Sequence, residues 1–150
     1  DKAVKVGVTS RTQNCGQSCI AGKRFIIHAD VYDEFKEKFK TAFEALKVGD
    51  PNAPDTDMGP LVNDKARQDI IEQVETALSD GASRVTGAEP IEGAGYFYRP
   101  GILENISPSS RAYREEIFGP VVTIIPFDTE EEVIAVLDAF YKESGLSPNF

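Results

Sequence analysis

Cys19 is the residue whose surroundings point most directly to chemistry. It follows a polar, glycine-bearing stretch, Gln13-Asn14-Cys15-Gly16-Gln17-Ser18, and precedes the β-rich run Arg24-Phe25-Ile26-Ile27-His28. A glycine close before a thiol lets backbone amides approach a reacting atom. A loop held on a rigid strand is a common place for a nucleophile. The thiolate is the reactive form, so such a cysteine needs a lowered pKa or a base. The only histidine, His28, stands at the far end of the run. At about 3.3 Å per strand residue it is too remote to be a local base. Two other readings stay open at this point. Cys19 is an inert buried thiol, since free cysteine behaves as a small hydrophobe, or it pairs with Cys15 as a redox couple within marginal disulfide reach.

A second group is Arg114-Glu115-Glu116-Ile117-Phe118-Gly119-Pro120. Adjacent carboxylates repel and gain from a nearby cation or a hydroxyl-bearing ligand. A glutamate accepts hydrogen bonds from ribose hydroxyls, as acidic residues do in dinucleotide sites. The plainer reading is a solvated charge pair with a core phenylalanine at a strand entry. The aspartates between Asp50 and Asp57 lack the spacing of a calcium loop and read as a solvated loop. Two cysteines and one histidine supply no four-ligand zinc set, so no metal site is expected. No Gly-x-Gly-x-x-Gly or phosphate-loop motif is present in these residues.

The elements around these groups follow from periodicity. Ala3 to Val8 reads as the end of a helix and Arg11 to Ser18 as a loop; Arg24–His28 reads as a buried strand. Asp30 is the expected N-cap of an amphipathic helix whose apolar stripe is Val31, Phe35, Phe39, Ala42, Phe43 and Leu46. Residues 51–61 are loop. A second helix is capped by Asn63 or Asp64, carries Ile70, Ile71 and Val74 inside, and stops at Gly81. Ala82 to Thr86 is a short strand. Tyr96 to Leu103 is extended chain broken at Pro100-Gly101, and Pro108 to Arg114 is irregular. Val121 to Ile125 is the strongest strand, apolar on both faces. Thr129 and Glu132 form a capping box for a last helix, and the pattern is lost from Ser144 onward. This alternation predicts an α/β sandwich.

Composition sets outer limits. The chain has 150 residues and a net charge of −9, which argues against non-specific nucleic-acid binding and against a polybasic membrane surface. Its 41% hydrophobic and 27% charged content is that of an ordinary globular domain. No apolar run reaches the roughly 18 residues of a membrane span. The start, Asp1 to Val6, lacks a signal-peptide pattern, so the cytoplasm is the expected compartment.

Together these segments resemble the NAD(P)-dependent aldehyde dehydrogenase superfamily. Asn14-Cys15-Gly16-Gln17-Ser18-Cys19 followed by Ala21-Gly22-Lys23-Arg24-Phe25 is similar to its catalytic-cysteine segment. Lys47-Val48-Gly49-Asp50-Pro51, Asp57-Met58-Gly59-Pro60-Leu61 and Gly95-Tyr96-Phe97 with Pro100 keep step with it. Glu115-Glu116-Ile117-Phe118-Gly119-Pro120 resembles its second signature. Gln17 to Ala21 looks most like bacterial and archaeal succinate-semialdehyde dehydrogenases. The resemblance implies a three-layer αβα catalytic domain, truncated, with residues 1–150 forming only part of it. It implies Cys19 as the nucleophile that adds to the aldehyde. A thiohemiacetal and then a thioester follow, hydride passing to the nicotinamide between them. Cys19's own backbone N–H is implied as part of the oxyanion hole. Glu116 matches the contact to the nicotinamide-side ribose and Phe118 the aromatic that positions the nicotinamide, with NAD or NADP as coenzyme. Cys15 falls at a variable position.

Departures from the pattern carry their own expectations. The family's Glu-Leu-Gly-Gly base segment, its oxyanion-hole asparagine and its coenzyme-binding domain are not found in these residues. Phe140 to Ser147 matches only loosely, and the closing strands are missing. The chain alone is therefore expected to show little dehydrogenase turnover, and its exposed sheet edges to favour a homo-oligomer. Two further readings are a non-catalytic remnant that binds a partner and a thiol hydrolase using Cys19.

Overall fold

Phe35, Phe39 and Phe43 recur every fourth residue, and their rings pack along one helix, tilted and edge-to-face, with centroids 4.9 and 4.8 Å apart. Phe25 joins them from a strand, 5.0 Å from Phe39. That aromatic ladder fixes how the first half of the chain packs. The computed structural model describes residues 1–144; the expected loss of pattern after Ser144 lies outside the described residues. In chain order the elements are α1 (Lys2–Thr12), a 3-10 turn (Gln13–Gly16), β1 (Arg24–His28), α2 (Ala29–Glu44) and α3 (Asp64–Ser79). They continue with β2 (Ser83–Thr86), β3 (Glu89–Pro90), β4 (Tyr98–Arg99), β5 (Gly101–Glu104), α4 (Arg111–Arg114), β6 (Val121–Phe127) and α5 (Glu130–Ser144).

Four strands form one sheet in the order β1-β6-β5-β2. The β1–β6 and β6–β5 pairs are parallel and β5–β2 is antiparallel. Strands β3 and β4 make a separate ribbon. Side chains of β5 and β6 alternate between two cores, as a pleated strand buried on both sides must. Ile102, Val122 and Ile124 join Val4, Phe39 and Phe43 from α1 and α2. Leu103 and Val121 join Ile70, Val74 and Ala77 from α3. The fold is thus mixed α/β around a mainly parallel sheet, as the alternation of elements predicts. Among the described residues no helix is long and apolar enough to cross a membrane.

Several local expectations change. Helix α1 runs on to Thr12, so Arg11 is helical and fully buried rather than part of a polar loop. Gly7 lets α1 lie against the aromatic ladder, since a Cβ there would meet the Phe25 ring at 2.8 Å. Helix α2 starts directly from β1 and is capped by His28, whose Nδ1 accepts from the Asp30 N–H at 3.2 Å. Asp30 falls inside the first turn, where a carboxylate complements the helix dipole. The segment expected to be irregular contains α4, a single helical turn too short to show periodicity, capped by Ser110 Oγ on the Ala112 N–H. The caps at Asn63 and Thr129 form as expected, Asn63 Oδ1 accepting from Ala66 N–H at 2.8 Å and Thr129 Oγ1 from Glu132 N–H at 3.3 Å, but the Glu132 carboxylate returns to the Asp128 N–H at 2.8 Å and not to that of Thr129.

Phe39 is fully buried and touches three of the ladder's rings. Phe39→Ala is expected to cost about 3–5 kcal/mol of stability, read as a lowered midpoint in urea unfolding.

Candidate active site

The segment before Cys19 is held in an unusual backbone. Asn14, Cys15 and Gly16 are all left-handed, with φ of 52°, 56° and 71°. Asn tolerates this region and Gly favours it, whereas Cys15 is strained. Gly16 is required twice over, because a Cβ there would collide with the Gly119 carbonyl as well as oppose its φ. The strain at Cys15 is offset by burial and by its Sγ, which donates to Gly59 O at 3.3 Å and approaches Pro60 O at 3.5 Å. Gln17 closes the turn. Its N–H donates to Asn14 O at 3.0 Å and its Oε1 accepts from the Val62 N–H at 3.0 Å.

Cys19 follows on a tight turn, Ala21 N–H donating to Ser18 O at 3.1 Å. Its thiol is exposed, unlike that of Cys15. The inert-buried reading therefore fits Cys15, whose thiol pKa is pushed up by burial despite the Gly59 contact. Ser18 and Ile20, on either side of Cys19, line an apolar cleft of about 360 Å³ with Val6, Thr9, Ser10 and Gln13; Cys19 itself does not line it. His28 is engaged in its cap at the far end of β1 and takes no part.

Three cations tie this turn to the segment 114–120. The buried Arg11 guanidinium donates to Gly22 O at 3.3 Å and, through Nη2, to the carbonyls of Ile117 and Gly119. Burial lowers its pKa to about 10, opposed by the charge of Glu116. Arg24 Nε donates to Tyr113 O at 3.1 Å and Nη2 to Glu115 O at 3.1 Å. Lys23 Nζ donates to Ser18 O (3.2 Å), Cys19 O (3.0 Å) and Ala21 O (3.1 Å), and pairs with Glu116 Oε1 at 2.8 Å.

The two adjacent carboxylates face different partners. Arg111 grips Glu115 with Nε and Nη2, both at 2.9 Å, and holds its carboxyl below the usual range. Gln73 Nε2 adds a contact to Glu115 Oε2 at 3.1 Å and another to Glu116 O at 3.3 Å. Glu115 is thereby committed to α3 and α4. Glu116 keeps 44% of its side chain exposed, and Phe118 is 43% exposed beside it. Both line a cleft of about 380 Å³ with Ala66, Asp69, Ile70 and Gln73. An accessible carboxylate next to an accessible ring suits a polyol joined to a flat heterocycle, the shape of a nicotinamide riboside, so these residues fit the coenzyme that the sequence suggests.

The structure therefore sets the backbone carbonyl of Cys19 and the carboxylate of Glu116 on one ammonium, that of Lys23. Sequence reasoning missed Lys23, Arg11, Arg24 and Gln73. The available signal was the need for cations beside a glutamate pair and beside the carbonyls of a tight turn. The aspartates of residues 50–57 serve the loop itself, Asp57 Oδ2 accepting from the Lys47 N–H at 2.8 Å and Asp55 pairing with Lys47 at 3.0 Å.

Residues 1–147 match the aldehyde dehydrogenase family. A succinate-semialdehyde dehydrogenase [NADP(+)] of Mycobacterium avium is 46% identical over 139 residues, covering 93% of this chain and 29% of that protein. One from Mycobacterium tuberculosis is 45% identical, covering 93% and 30%. Among solved structures, lactaldehyde dehydrogenase of Escherichia coli superposes with a TM-score of 0.86 at 36% identity, over 89% of this chain and 28% of that one. The NAD+ complex of a Bacillus cereus aldehyde dehydrogenase gives 0.86 at 32% identity, over 90% and 28%. The chain spans less than a third of the length of the curated relatives it matches.

Two outcomes follow from the loop geometry. Gly16→Ala is expected to lose about 2–4 kcal/mol in chemical denaturation, from left-handed strain plus the clash with Gly119. The raised pKa of Cys15 keeps its proton in the folded chain at pH values where the unfolded thiol loses it. Stability linked to this group is therefore fully present below the ordinary thiol pKa and is lost as pH rises from there through the raised value of the folded chain. Comparing the wild type with Cys15→Ala in urea titrations at pH 7 and pH 10 checks the sign.

Proposed function

This chain belongs to the aldehyde dehydrogenase family, and we propose that it is the nucleophile-bearing part of an NAD(P)-dependent catalytic domain built as a three-layer αβα sandwich. The single observation behind this reading is that one ammonium, Lys23 Nζ, contacts both Cys19 O and Glu116 Oε1. Cys19 and Glu116 match the family's catalytic cysteine and its ribose-binding glutamate, so their meeting in space supports both assignments.

In the proposed mechanism the Cys19 thiolate adds to the aldehyde carbon to give a thiohemiacetal. The backbone N–H of Cys19 donates to the oxygen that becomes negative, a contribution of about 3–4 kcal/mol for such a donor. Lys23 fixes the turn that carries this N–H. Glu116 would accept from the hydroxyls of the nicotinamide-side ribose, and Phe118 would pack beside the ring. When bound, the coenzyme would accept the hydride that the thiohemiacetal loses, together with its hydroxyl proton, in becoming the Cys19 thioester. Water then attacks the Cys19 thioester, releasing the carboxylic acid and regenerating the thiol. The base for that water is assigned to a residue outside this chain, because the family's Glu-Leu-Gly-Gly segment is not among these residues. The names of the relatives favour succinate semialdehyde as the aldehyde and NADP as one coenzyme.

This reading separates two activities. The purified chain should oxidise succinate semialdehyde slowly or not at all when given NAD or NADP. It should still cleave an activated aryl ester, because acyl transfer needs the thiolate and not the coenzyme. Cys19→Ser should abolish the esterase and Cys15→Ser should keep it, since a serine hydroxyl still donates toward Gly59 O. The reverse pattern overturns the assignment of the nucleophile.

A further inference from the structure

Lys23 carries more acceptors than it has donors. An ammonium has three N–H groups, yet four oxygens lie within 3.2 Å of Lys23 Nζ: Ser18 O, Cys19 O, Ala21 O and Glu116 Oε1. Three belong to the backbone of the Cys19 turn and are fixed by it. The fourth is a side-chain carboxylate, 44% exposed, whereas the lysine is 18% exposed. Glu116 is therefore the partner free to turn away. The Arg11 and Arg24 guanidinium groups also feel the charge of Glu116, while donating to backbone carbonyls of residues 22 and 113–119. Glu115 is held apart by Arg111.

We propose that Lys23 is a positioning residue that couples the nucleophile turn to the coenzyme-side carboxylate by sharing its ammonium between the Cys19 turn carbonyls and Glu116. The proposal rests on the assignments of Cys19 and Glu116 made above. A ligand hydroxyl that donates to Glu116 competes with Lys23 for that carboxylate. The ammonium is then released to the three turn carbonyls, and the turn that aims the Cys19 thiol and N–H tightens. The coupling runs both ways, because a contact between two sites shifts each by the same factor. An adduct on Cys19 that disturbs the turn changes the availability of Glu116 by that factor.

The test is a double-mutant cycle read at Cys19. The rate of its alkylation by iodoacetamide is followed by peptide mass spectrometry on the chain, with Cys15 as the internal marker of an intact fold. Glu116→Gln removes the charge that competes for Lys23. It is expected to shift the Cys19 rate by roughly threefold or more, within the range for residues sharing one network. With Lys23→Met already present the same change should have a much smaller effect, the remainder passing through the charges of Arg11 and Arg24. With Lys23→Arg, which keeps a cation and its donors, the effect of Glu116→Gln should persist. A role confined to stability would show instead as a lowered melting temperature with additive rates. The proposal is overturned if Glu116→Gln changes the Cys19 rate equally with and without Lys23→Met, or leaves that rate unchanged in both backgrounds. Failure of the underlying reading looks different: Cys19 in the unaltered chain would then react no faster than Cys15.

Discussion

A guanidinium buried beneath two loops is the constraint on which the site depends. Arg11 has no exposed surface, and a charge removed from water is stable only when its donors find acceptors. Its two Nη groups find them in the carbonyls of Gly22, Ile117 and Gly119, while its Nε is buried with no hydrogen-bond partner. Those carbonyls belong to the end of the Cys19 turn and to the loop before β6, both outside the strands of the sheet. Each side therefore helps to satisfy the other. Gly16 completes the junction, because only a residue without a Cβ lets the left-handed turn touch the backbone of Gly119.

Sheet topology explains why the two loops meet at all. Strands β1 and β6 are parallel neighbours, with Arg24 opposite Thr123. The chain just before each strand must therefore emerge at the same end of the sheet. Cys19 precedes β1 and Glu116 precedes β6, so a parallel pairing brings two distant sequence segments to the same end of the sheet. The aromatic ladder of α2 and the Ile70–Val74–Ala77 face of α3 hold that pairing by filling the two cores on which β6 is packed. Cys19 and Glu116 then sit in loops at one end of the rigid sheet, where polar contacts from Lys23, Arg24, Gln73 and Arg111 hold the two loops.

Much of this was legible in the residues. Periodicity found α2 and α3, because each shows one clear apolar stripe, and β-branching found β6. The two signature segments marked Cys19, Glu116 and Phe118. What could not be read depended on long-range partners. Arg11 looks like a loop residue because nothing local signals that its charge is buried under residues far along the chain. Asp30 looks like a cap because the pattern does not reveal that β1 passes straight into α2, leaving His28 in the capping position. The split between Glu115 and Glu116 needs Arg111 and Lys23 in space. Thr123 Oγ1 is buried with no hydrogen-bond partner, and we have no physical account of it.

The claim at the centre is that Cys19, exposed on a turn fixed by Arg11 and Lys23, is the residue that bonds to substrate. Trapping the covalent intermediate tests it most directly. The chain is mixed with p-nitrophenyl acetate, quenched in acid within the first turnover, and mapped by peptide mass spectrometry. The account predicts an acetyl group on the peptide carrying Cys19 and on its sulfur. Acetylation confined to Cys15 or to lysines, with Cys19 unmodified, would contradict it.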